Sequence, residues 1–178
     1  MRGRRLGLAL GALLLLATGG AVLVPLLRAA TSGEPAVSST AQLMACAQAP
    51  GDGYCERLAG DRAARGPLSS IDRDTGERYV ERIREAFEAH LGAVCRAEFD
   101  ACQFAEPPTV ESLRAALVAA GLPGPVVRPV RYTDPAPLGA TIYAVRAGAG
   151  CAVGWVEGGA GRAPQVVGRH RDGRCLPA

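Results

Sequence analysis

The sequence predicts an α+β domain, with short helices first and then a small antiparallel sheet of three to four strands, behind an N-terminal transmembrane or signal helix. Three observations predict this. Residues 6–27 ("LGLALGALLLLATGGAVLVPLL") run 22 residues without a charge behind "MRGRR". Between residues 74 and 120, apolar side chains recur at helical three- and four-residue steps. From Val126 onward the period falls to two, in short β-branched runs broken by Pro and Gly.

The leader comes first. At about 1.5 Å per residue, 22 helical residues just cross a hydrocarbon core of about 30 Å. Arginines ahead of it keep the N-terminus in the cytoplasm and send the rest outside. A cleaved signal peptide is the rival, with small residues at Ala17, Gly19 and Ala21. The apolar run continues through "VLVPLL" with no polar break, which favours an uncleaved anchor. The organisation expected is a leader at 1–28, a flexible linker at 29–40 and an extracytoplasmic domain at 41–178. "LMAC" (residues 43–46) resembles a lipobox, but a polar spacer separates it from the leader.

A short helix is expected at residues 41–47, ended by "APGDG". The best helix begins near Asp74, with Glu77 three residues on as a capping-box partner. Val80, Ile83, Phe87, Leu91 and Val94 form its apolar face, and Arg82–Glu85 and Arg84–Glu88 are expected as solvated pairs. A further helix runs from about Val110 to Ala120, capped by Thr109 and stopped by Gly121. The strands expected are "VVRPVRY", "ATIYAVR", "CAVGWVE" and "PQVVGRH". Pro129 has no N–H to give a central ladder and puts the first of them at an edge.

The six cysteines, Cys46, Cys55, Cys95, Cys102, Cys151 and Cys175, all follow the leader. An even set in a small exported domain reads as disulfides. Spacings suited to a metal or a redox pair are absent: there is no Cys-x-x-Cys, and His90 and His170 are the only histidines. If the strands flanking the glycine-rich turns pair as a hairpin, Cys151 comes towards Cys175. The other four fit either local pairs, Cys46–Cys55 and Cys95–Cys102, or a nested scheme, Cys46–Cys102 and Cys55–Cys95. The nested scheme would staple two helical arms and is slightly favoured.

"AGAGCAVGWVEGGAGR" is not a phosphate loop. Its glycines miss the GxGxxG spacing, no Lys exists in the chain, and a strand pattern follows where a helix is required. Two hairpin turns are expected instead. Nucleic-acid binding is excluded on charge. The formal charge is +3, but four of the 20 arginines flank the leader, which leaves 16 against 17 acidic residues.

The C-terminal segments "ESLRAALVAAGL", "ATIYAVRAGAGCAVGWVEG" and "GRCLPA" resemble a group of small exported actinobacterial proteins of unknown function. The likeness covers about the last 70 residues and implies no functional residues.

No G-x-S-x-G occurs, and no catalytic, metal-ligating or cofactor-binding residue is assigned. His90, beside the apolar face of its helix, reads as a partly buried or surface histidine, and His170 as part of a polar turn. Tyr143 and Trp155 lie in strand runs and offer aromatic surface to a partner, although Trp155 is expected in the core. Arg169, Arg171 and Arg174 read as solvated turn residues ahead of a basic edge for a wall polymer or lipid head groups. The expected function is a membrane-anchored extracytoplasmic protein with a binding or structural role and no cofactor. Its partners would be the membrane, through residues 6–27, and an envelope protein or wall polymer. The alternative is a small secreted hydrolase or inhibitor-like module.

Overall fold

A computed structural model describes residues 53–96 and 100–178. The leader, the linker, the short helix expected at residues 41–47 and Cys46 lie outside the described residues. Three helices, α1 (Tyr54–Ala64), α2 (Ser70–Leu91) and α3 (Val110–Ala119), accompany six strands. The strands are β1 (Val94–Arg96), β2 (Ala101–Gln103), β3 (Val126–Pro129), β4 (Thr141–Ala147), β5 (Gly150–Glu157) and β6 (Ala160–Gly168). They form one antiparallel sheet in the order β1-β2-β6-β5-β4-β3. The α+β class holds, but the sheet has six strands rather than three to four.

The long helix starts one turn before the expected position. Ser69 caps it, its hydroxyl accepting from the Asp72 N–H at 3.1 Å. It stops at Gly92, whose left-handed φ of 59° lets the Ala93 N–H reach back to Phe87 O. That stop removes Val94 from the helical face: it belongs to β1 and is 60 % exposed. The charged pairs also differ from those expected. Arg84 faces Glu81 and Asp100, and Arg82 donates to Ala120 O and Gly121 O at the end of α3. In α3, Thr109 and Ser112 exchange both capping-box hydrogen bonds.

The early stop also decides the cysteines. Cys95 stands in β1 directly opposite Cys102 in β2, and the two are bonded. The nested scheme, which paired Cys102 with Cys46 and Cys95 with Cys55, needed Cys95 on a helical arm and fails in both pairs; the local pair Cys95–Cys102 forms instead. Cys55 is also disulfide-bonded. Cys151 is joined to Cys175.

Alternation along the strands gives the sheet two faces. Tyr143, Val145, Ala152 and Val156 point to one face, where α2 and α3 cover them with Val80, Ile83, Phe87, Leu113 and Leu117. Phe87 meets Tyr143 edge-on at 5.3 Å and Phe104 at 5.6 Å. On the opposite face, Ile142 and Ala144 pack against Ala136, Leu176, Val153 and Trp155. The hairpin turns are the expected ones: Gly148 and Gly158 take φ of 58° and 56°, values that L side chains avoid.

β3 is an edge strand, as Pro129 predicts, and the edge is blunted. The Val127 carbonyl accepts from Arg114 Nη2 at 2.7 Å, and Pro129 has no N–H to offer another strand.

Candidate functional site

The second face is roofed by α1, the loop 130–140 and the C-terminal segment rather than by long helices, so polar cross-links hold it. Asp134 is completely buried. Its carboxylate pairs with both terminal nitrogens of Arg128 and accepts from the Arg131 N–H at 2.6 Å. Arg128 Nη2 also donates to Pro177 O at 3.3 Å, and Arg57 donates to Asp134 O and Ala136 O, each at 3.1 Å. One Arg–Asp pair thus fixes the loop, the strand edge and the chain terminus together.

A second cross-link joins α1 to the segment after β6. Asp61 accepts from Arg65 Nε at 2.6 Å and Nη2 at 2.8 Å. Arg65 continues to Gly168 O at 2.8 Å and Cys175 O at 3.1 Å. His170 Nε2 lies 3.0 Å from Asp61 Oδ1 without the alignment of a good hydrogen bond. His170 is therefore not part of an exposed polar turn; it is largely buried against a carboxylate already engaged by Arg65. This is the arrangement of a structural clasp. His90 is exposed near the end of α2.

Tyr143 is wholly buried, with its hydroxyl 3.2 Å from Arg162 O, and burial pushes its phenol well above the ordinary range. It offers no surface to a partner. Trp155 is half-buried beside Val153. Of the three clustered arginines, Arg169 donates to Gly148 O, Arg171 is exposed, and Arg174 pairs with Asp172 at 2.7 Å. The Arg174 backbone N–H, and then its guanidinium, hold the Asp172 carboxyl below the usual carboxylate range.

One concavity on the second face was not foreseen. A groove of about 490 Å³ runs between the β3–β4 end of the second face and the C-terminal segment. Register explains its composition. Val126 stands opposite Ala144, Arg128 opposite Ile142 and Arg146 opposite Cys151, so all of these side chains share one face. The Cys151–Cys175 bond then fastens the C-terminal segment onto that face, with Arg174 on one side of the bridge and Leu176 and Pro177 on the other. The volume is that of small-molecule sites, about 300–1,000 Å³. The available signal was the arginine in each of "VVRP" and "AVRA", placed where the two-residue period calls for a side chain on one face.

Among the described residues no cluster of His, Cys, Asp and Glu could hold a metal ion, and no helix is long and apolar enough to cross a membrane. Compared with known protein families, with curated proteins and with solved structures, the chain matches none.

Proposed function

We propose that this chain is an exported, membrane-anchored protein whose domain works outside the cytoplasm as a non-catalytic binding module. The observation that carries this reading is the groove. Its lining combines arginines with apolar side chains and holds no Ser, His, Asp or Glu. Its cysteine is tied in a disulfide. Such a lining suits recognition by charge and shape, whereas acyl or phosphoryl chemistry calls for a nucleophile with a base in reach. Two disulfides among the described residues suggest an extracellular or secreted location, where such bonds persist. The charge-free run at residues 6–27 and the likeness to small exported proteins support export, and the length of the run supports retention at the membrane.

The test is fractionation of cells expressing the full chain, followed by intact mass without reduction and capture of partners from envelope extracts. The reading expects a membrane-bound chain with its leader attached, all thiols oxidised, and a stoichiometric partner protein or polymer. Turnover in a peptidase and esterase panel, lost in His90→Ala, would overturn it in favour of a secreted hydrolase.

A further inference from the structure

We propose that the groove binds a small amphipathic anion, a carboxylate or phosphate head group on an apolar body, with the head group between Arg146 and Arg174. The inference rests on the binding-module reading and adds the ligand class and the residues.

Charge on the walls is one-sided. Arg128, Arg146 and Arg174 line the groove and no acidic residue does. The three arginines are not equivalent. Both terminal nitrogens of Arg128 are engaged by buried Asp134, and one also by Pro177 O, so this guanidinium is a wall. Arg174 is held only by Asp172, in a pair whose side chains are about half exposed. Exposed pairs of that kind are weak in water, so a ligand anion competes for the fork on nearly equal terms. Arg146 is exposed and makes no ion pair among the described residues.

The bridge brings these last two together. Arg146 and Cys151 are cross-strand neighbours, Cys151 is bonded to Cys175, and Arg174 precedes Cys175 in the chain. Planar guanidinium forks match carboxylate and phosphate oxygens in bidentate fashion, which neutral head groups cannot exploit. The apolar body is called for by the rest of the lining, where Val126, Ala144, Leu176 and Pro177 leave hydrocarbon beside the charge. Val126 is 44 % exposed on the groove's rim.

The test uses the full chain in nanodiscs of zwitterionic lipid, with empty discs as the blank, and titration calorimetry. The probes share a phenyl body: 4-phenylbutyrate, phenyl phosphate and the neutral 4-phenylbutyramide. Saturable binding is expected for at least one anion, with the amide about tenfold weaker or more. Arg146→Gln should weaken the anion by about tenfold and leave the amide unchanged, while Arg78→Gln, on the exposed side of α2, changes neither. Preference between butyrate and phosphate decides the source of the anion. Equal binding of acid and amide, unchanged binding in Arg146→Gln, or no saturable binding by either anion overturns the proposal. If an envelope partner is still captured while the anions fail, only the ligand class falls. If no partner is captured either, the binding-module reading falls with it.

Discussion

Replacing Cys151 and Cys175 together with alanine removes the bond that fastens the C-terminal segment to β5. The bond joins residues 24 apart in sequence, and the Cys95–Cys102 bond joins residues only 7 apart. In the chain-entropy model, loops of these sizes restrain the unfolded chain by about 3.5 and about 2.5 kcal/mol respectively. The difference has a structural counterpart. Cys95 and Cys102 join two three-residue strands already paired by their backbones. Cys175 lies in a segment otherwise held by Arg65, Arg128 and the buried Leu176. Urea unfolding of both double-alanine variants measures the two costs directly. The larger loss is expected for Cys151/Cys175, with a steeper denaturant dependence because the released chain exposes more surface on unfolding. A loss below about 1 kcal/mol, or one smaller than that of Cys95/Cys102, would refute the assignment of this bond as the main tie of the domain.

Three further outcomes are expected. A Cβ at Gly154 would lie 2.3 Å from Tyr143 Oη and 3.1 Å from Arg162 O, so Gly154→Ala should cost about 1–3 kcal/mol. Because ring carbon Cζ of Tyr143 would lie 2.5 Å from the same Cβ, Tyr143→Leu rather than Tyr143→Phe is the relieving partner, and a strictly additive Gly154→Ala/Tyr143→Leu cycle would count against the contact. Because burial keeps the Tyr143 phenol protonated in the folded state, its stability contribution is complete below its ordinary value of 10.0 and is lost as pH rises beyond it. The slope approaches about 1.4 kcal/mol per pH unit, and Tyr143→Phe should flatten the alkaline limb of a melting-temperature profile. Asp134→Ala leaves Arg128 without its buried partner, and chemical denaturation should register a loss of about 3–5 kcal/mol.

Legibility in the sequence followed the strength of local signals. α3 was readable because Thr109 caps it and Gly121, with φ of 66°, closes it. β4 and β5 were readable because their runs of 7 and 8 residues are rich in β-branched and aromatic side chains and are bounded by glycines. β1 and β2 are three residues each, too short for any period, and exist because Ala101, Cys102 and Gln103 pair with β6. α1 escaped notice because its sequence, YCERLAGDRAA, has a glycine in its middle and only Tyr54 and Asp61 buried. The Ser69-x-x-Asp72 start of α2 was legible in retrospect, but Asp74 and Glu77 offered a rival cap one turn later. The groove depends on cross-strand register and on one long-range bond, neither of which any single stretch of sequence encodes.

The missing lysines have a structural counterpart. All 20 basic residues are arginine, and several guanidinium forks stitch backbone to backbone. Arg57 and Arg65 each hold two carbonyl oxygens far away in sequence, Arg82 holds two at the end of α3, and Arg114 caps the edge strand. A lysine ammonium, a point donor on a flexible stem, does not span two acceptors in this fixed geometry. The stitching compensates for a thin second face, where an 11-residue helix, a loop and a tail stand in place of long helices. Buried Asp61 and Asp134 each fix an arginine there, and such pairs define an arrangement more than they stabilise it. Along β4 that roof thins outward: Ile142 and Ala144 are dry, and Arg146 is in solvent. Within the groove, Arg128 is committed to the scaffold and Arg174 to an exposed neighbour. Arg146 has no such employment, which makes it the charge whose removal separates a recognition role from a structural one.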